Sequence, residues 1–244
     1  MTKYRSSKDL ALSSNERLYF NKNTKSVFKF SIVKNLTSSM VTFYTFHAGF
    51  KKKRDDLLVA VFTNPTPVAA VYSMTSTPSA PIIWDKKNNK GLCKVLIVNA
   101  GNANAHTGIK GIKNIDTYAK KAAFFFNCPL SQILVSSTGV IGEQLDQNKI
   151  INFFPLIKTS TKKNLLSAAK AIMTTDTYSK TILKQINISS QKIRIFGFAK
   201  GSGMICPNMG TMLAYIFIEA KIPKIILKKL LYAHLDDSFN SISV

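Results

Sequence analysis

The stretch best suited to chemistry runs Lys200-Gly201-Ser202-Gly203-Met204-Ile205-Cys206-Pro207-Asn208-Met209-Gly210-Thr211-Met212-Leu213-Ala214. It places a threonine after a glycine, at the start of an apolar run. By residue type alone, Thr211 reads as a β-branched strand starter. Gly201-Ser202-Gly203 after Lys200 has the look of a phosphate cradle, but the Walker spacing and the dinucleotide fingerprint are both absent. Two more small-polar clusters fall where loops usually carry function: Ser137-Thr138-Gly139, and Asn99 to Ala105, whose asparagines could equally satisfy their own backbone. Metal chemistry has little to build on. Cys93, Cys128 and Cys206 are far apart, and His47, His106 and His234 are isolated from one another.

The elements that must position these clusters follow from periodicity. Leu57 to Thr63 reads as a buried strand closed by the Asn64-Pro65 turn signal, and a second apolar run spans Pro67 to Ser73. Val95 to Val98 predicts a strand ending in the Asn99–Ala105 loop. Ile115, Ala119, Ala122, Ala123 and Phe126 recur at helical spacing. Ile133 to Val135 is a short strand running into Ser136-Ser137-Thr138-Gly139. Leu165, Ala168, Ala169 and Ile172 mark a helix that stops at Thr174-Thr175-Asp176. Lys192 to Phe198 and Met212 to Glu219 are strands, and a Lys- and Leu-rich helix begins at Pro223. Alternating strands and helices imply a layered α/β or α+β domain; periodicity does not choose between them.

The 244 residues suffice for one large domain or two small ones. No apolar run approaches the roughly 20 residues of a membrane span, which argues against an integral membrane protein. The formal charge of +22 suggests nucleic-acid binding. Of the 34 basic residues, however, only Arg5, Arg17, Arg54 and Arg194 are arginine, the side chain whose fork reads phosphate and bases. The scattered lysines read as compositional bias. An odd number of widely spaced cysteines gives no disulfide framework and makes a reducing cytoplasm the expected compartment. Residues 1–40 are basic and Ser-rich with no secretory apolar core. Asp9, Glu16 and the scarcity of arginine weaken an organelle-transit reading.

The 200–214 stretch resembles the signature of the ornithine acetyltransferase family, with Gly210 where alanine is usual. Four further segments resemble it in the same order: Thr77-Pro78-Ser79-Ala80-Pro81; Asn99 to Ala105 with Thr107-Gly108; Ser137-Thr138-Gly139-Val140-Ile141-Gly142; and Ala171-Ile172-Met173-Thr174-Thr175-Asp176. The resemblance spans about Phe46 to Val244. It implies an α+β fold, a layered αββα sandwich, and a precursor that cuts itself between Gly210 and Thr211. The freed α-amine, with an ordinary pKa of about 7.7–8.0, would then act as base for the Thr211 hydroxyl. By the same resemblance, Thr211 is the nucleophile carrying acetyl from N-acetyl-L-ornithine to L-glutamate. Thr138 and Gly139 supply the oxyanion hole, and Thr174, Thr175 and Lys200 bind substrate. No cofactor is implied; acetyl-CoA enters only as a co-substrate of bifunctional members.

The resemblance also implies assembly as two α and two β chains. Residues 41–210 would be the α-like region after a partly ordered extension over 1–40, and 211–244 only the start of a β-like region. The rest of that region, with further substrate contacts, has no counterpart here. Alternatives therefore accompany the transferase reading: an inactive truncated remnant, one half of a split enzyme, a related self-cleaving aminopeptidase, and, ranked last, a basic nucleic-acid-binding protein.

Overall fold

The computed structural model describes residue 33 and residues 36–188, 190–202 and 212–242. The chain folds as an α+β protein around two sheets. The first contains β1 (Val41–Phe46), β2 (Leu57–Pro67), β3 (Leu92–Asn102) and β4 (Ile133–Val140) in that order. Neighbours in it are antiparallel except β3 and β4, which run parallel. A parallel pair needs a crossover, and α2 (Gly108–Phe125) supplies it. The second sheet is the antiparallel meander β5 (Lys180–Ile188), β6 (Gln191–Lys200) and β7 (Leu213–Ile218).

Period-two alternation divides the first sheet between two cores. Phe43, Leu58, Ala60, Leu96, Val98 and Leu134 face the second sheet, where they meet Phe196, Phe198 and Phe217. Phe217 is stacked on Phe196 with ring centroids 5.2 Å apart and meets Phe43 edge-on at 5.5 Å. The helix α4 (Leu165–Ile172) buries Leu165, Ala168, Ala169, Ala171 and Ile172 in this same core. Its Asn164 caps the first turn by accepting the Ser167 N–H at 2.9 Å. The opposite face, with Leu57, Val59, Val95, Ile97, Ile133 and Val135, packs on α2 and on α1 (Ala80–Asn88) through Ile115, Tyr118, Ala119, Ala122 and Trp84. Leu36 also enters the core between the sheets, so the folded body begins before β1. A short helix α3 (Asn148–Ile151) follows β4, and α5 (Lys224–Ala233) follows β7.

Two sequence expectations are corrected. Asn64-Pro65 does not close β2: the strand continues to Pro67, with its pairing to β3 shifting register between Val61 and Thr66. Such an irregularity tolerates a residue with no N–H to donate. Nor does β3 stop at Val98. Asn99 to Asn102 remain in the strand, because β4 offers parallel partners as far as Gly139 and Val140. The strands β1 and β5 and the helix α1 had no clear periodic signal. Among the described residues, no helix is long and apolar enough to cross a membrane.

Candidate active site

The parallel ends of β3 and β4 are tied together by polar side chains. The Ser137 hydroxyl donates to Asn99 Oδ1 at 2.6 Å, and Asn99 Nδ2 donates to the Asn102 carbonyl at 2.8 Å. Asn102 Oδ1 accepts the Asn104 N–H at 2.7 Å, and Asn104 Oδ1 accepts from the Thr107 hydroxyl at 2.8 Å. The asparagine cluster thus holds the tip of β3 in a fixed shape. Against it lies Gly139 (φ +134°), opposite Gly101 (φ +122°). A Cβ on Gly139 would stand 2.3 Å from the Gly101 carbonyl carbon and 2.6 Å from the Asn102 nitrogen. Only glycine fits both the dihedral and the space.

Thr138, at 1% exposure, brings a hydroxyl to this strand end. The last residue of β6 meets it: the Lys200 ammonium, itself buried, donates to Thr138 Oγ1 at 3.2 Å. Burial lowers the Lys200 pKa from the ordinary lysine value, and the negative charge of Asp176 acts against that shift. Lys200 is paired with Leu213 across the β6–β7 ladder, so β7 begins beside the Lys200 backbone, immediately after Met212. Gly210 and Thr211 lie outside the described residues.

The Thr-Thr-Asp segment follows the carboxyl end of α4. Asp176 is buried, and its carboxylate accepts the Gly201 N–H at 2.8 Å, the Lys180 ammonium at 2.8 Å and the Thr174 N–H at 3.2 Å. Burial alone would raise its pKa; these hydrogen bonds outweigh it and hold the carboxyl below the usual range. A second link joins the same two segments, Thr175 Oγ1 to Ser202 Oγ at 2.8 Å. Thr175 is exposed, whereas Thr174 contributes backbone: its N–H to Asp176 and its carbonyl to Arg54 at 2.7 Å. Arg54 also reaches the Met173 carbonyl at 3.0 Å, which the Lys51 ammonium shares. These cations cap the negative end of the α4 dipole. Burial, then the nearby Arg54 charge, brings the Lys51 pKa down to about 8.

Of the residues singled out in the sequence, Thr138, Gly139, Thr174, Thr175 and Lys200 thus converge on one corner between the sheets. Lys51, Arg54, Asp176 and Ser202 join them. Asp176 lies in one of the sequence motifs, but its role as the junction needed Gly201, 25 residues away, to be seen beside it. Lys51 and Arg54 carry no local signal that separates them from the many other cations. Among the described residues, no three His, Cys, Asp or Glu side chains converge as metal ligands would.

Residues 42–244 match the ArgJ family. The chain belongs to that family. It is 42% identical over 193 residues to the arginine biosynthesis bifunctional protein ArgJ of Gluconobacter oxydans, covering 78% of this chain and 46% of that one. It is 42% identical to the protein of the same name from Bradyrhizobium diazoefficiens, covering 82% and 49%. This ArgJ-family chain therefore spans about half the length of the curated relatives it matches. Two solved structures share its fold. One is a chain of ArgJ from Bacillus halodurans, with a TM-score of 0.64, 32% identity, and 71% of this chain and 91% of that chain covered. The other is a chain of the Mycobacterium tuberculosis ornithine acetyltransferase complexed with ornithine, with a TM-score of 0.58, 25% identity, and 71% and 92% covered.

Proposed function

We propose that this chain carries the acyl-transfer corner of an enzyme moving acetyl from N-acetyl-L-ornithine to L-glutamate. The Thr211 hydroxyl first attacks the Gly210 carbonyl, the peptide nitrogen leaves as the Thr211 amine, and water hydrolyses the resulting ester to a Gly210 carboxylate. The new Thr211 amine takes the proton from its own hydroxyl, and the oxygen attacks the acetyl carbonyl. The tetrahedral intermediate collapses, the ornithine nitrogen leaves with a proton returned by the Thr211 ammonium, and an acetyl ester remains on Thr211. The glutamate amine then attacks that ester and reverses the sequence of proton transfers. No bound cofactor is needed, and acetyl-CoA would enter only as an alternative donor. The family assembly of two α and two β chains and a cytoplasmic setting belong to the same reading.

The observation that carries it is the buried contact between Thr138 and Lys200, the β6 residue whose backbone is paired with the first residue of β7. An ammonium has donors only, so Thr138 Oγ1 must accept, and its own proton is left for another acceptor. A hydroxyl fixed in this way beside the Gly139 backbone suits a developing oxyanion. The ornithine complexed with the Mycobacterium tuberculosis enzyme supports an amino-acid substrate. Lys200 and the exposed Thr175 are the groups proposed to meet it.

A second reading, that catalysis is completed by a separately supplied carboxyl-terminal half, is favoured by the exposed apolar side chains on the second sheet and α5. These include Ile182, Ile216, Ile225 and Leu230. The experiment compares the chain alone with the chain co-expressed with the carboxyl-terminal half of a full-length relative. Expected are two fragments divided at Gly210–Thr211, one intact band for Thr211→Ala, and acetyl transfer to glutamate in the completed protein. An uncut Gly210–Thr211 bond in folded, completed protein would overturn the reading. If that protein is cut and yet inactive, the transferase assignment falls and an inert relic remains.

A further inference from the structure

Lys200 has two demands on it, and one residue outside the proposed catalytic set reconciles them. Its ammonium must stay on Thr138, yet it ends a strand and is followed by Gly201 and Ser202, which belong to no strand or helix. The ladder with β7 holds the Lys200 backbone as far as its pairing with Leu213, but Gly201 beyond it has no sheet partner among the described residues. The fixing comes from across the gap between segments. Asp176 takes the Gly201 N–H on the same carboxylate oxygen that holds the Lys180 ammonium, and the Thr174 N–H on the other. One buried carboxylate therefore locks the backbone on the carboxyl side of Lys200 to the backbone of Thr174. The Thr175–Ser202 pair closes the same gap one residue further along each segment.

We propose that Asp176 is a positioning residue for acyl transfer: by holding the Gly201 and Thr174 amides it aims the Lys200 ammonium at Thr138, so that the Thr138 proton faces the developing oxyanion. The inference rests on the acyl-transfer reading above and adds a residue to it. Asp176 touches no reacting atom. It acts through Lys200, which reaches the oxyanion through Thr138 while its remaining donors are left for substrate. Replacing the carboxylate by an amide keeps the shape but turns one acceptor oxygen into a donor, which faces an N–H or an ammonium in either orientation. The segment must then shift, and a displacement of about 1 Å at a reacting geometry can cost about 100-fold.

The test is a double-mutant cycle on the chain completed with the carboxyl-terminal half of a relative, with kcat and KM for N-acetylornithine and glutamate as readouts. Asp176→Asn is expected to lower kcat by about 10- to 100-fold. In a Thr138→Val background, where no hydroxyl remains to be aimed, the same change should cost less than about threefold. Equal costs in both backgrounds, or an effect confined to KM, would overturn the inference. If Asp176→Asn does not give a cooperative melt, Asp176→Glu takes its place in the cycle under the same criteria. A wild-type protein that neither cuts itself nor transfers acetyl sinks the underlying reading. An active wild type with additive costs sinks the positioning role alone.

Discussion

At the scale of single residues, the proposed site and the core use buried charge in opposite ways. Asp176 is surrounded by donors and stays ionised. Asp85, in α1, is buried under the first sheet and accepts the Val135 N–H at 3.1 Å. Burial pushes its carboxyl up to about 8, with that single N–H pulling the other way. An unfolded aspartate titrates near 3.9. Between about pH 4 and pH 8 the native state therefore keeps a proton that the unfolded state releases, and stability falls as pH rises through that window. Asp85→Asn has no proton to lose. Relative to wild type it is expected to gain on the order of 1–3 kcal/mol between pH 5 and pH 8, measured by urea unfolding at both. A difference between the two proteins that does not change with pH would mean Asp85 is already ionised in the fold. Little of this was legible in the sequence. Asp85 sits among Trp84, Lys86 and Lys87 like any surface acid, and only the packing of α1 against β4 shows that it is enclosed.

At the scale of elements, the sequence exposed what lies within one stretch and concealed what depends on two. The helix at 165–172 and the strand at 213–218 were readable because their apolar spacing is local. The strand β5 was not, since Lys184, Gln185 and Asn187 interrupt its apolar residues and its partner β6 decides its fate. The Ser-Thr-Gly cluster was found by type, but the need for glycine at 139 comes from β3 pressing against it. Two glycines separate these causes. Gly139 and Gly142 both have positive φ, +134° and +88°, but a Cβ on Gly142 would meet nothing within 4 Å. Gly142→Ala should then cost only backbone strain, about 1–2 kcal/mol. Gly139→Ala adds overpacking against Gly101 and Asn102, for a total of about 3–5 kcal/mol. Denaturant melts of the two variants check the ordering. Equal losses would show that the β3–β4 tip yields to accommodate a methyl group.

At the scale of the whole molecule, the register of the second sheet explains its unbalanced faces. Ile182 and Ile216 are both paired with Gly197, so the three form one row across β5, β6 and β7. That row lies on the face away from Phe196, Phe198 and Phe217, because neighbours along a strand point to opposite sides. Ile186 and Ile188 continue the same face along β5, and all four isoleucines are exposed. The core face is closed by stacked rings while the outer face presents β-branched apolar side chains to solvent. An apolar patch of this kind is ordinarily covered. Given relatives about twice as long, a carboxyl-terminal half is the cover proposed here. The chain alone is expected to bind a hydrophobic dye and to associate at high salt, where the repulsion from its +22 charge is screened. Co-expression with the carboxyl-terminal half of a relative should abolish both behaviours, and Ile182→Lys with Ile216→Lys should abolish dye binding without that half. Those two lysines should also weaken capture of the half in a pull-down. If they leave capture unchanged, the half docks elsewhere and the apolar row needs a different partner.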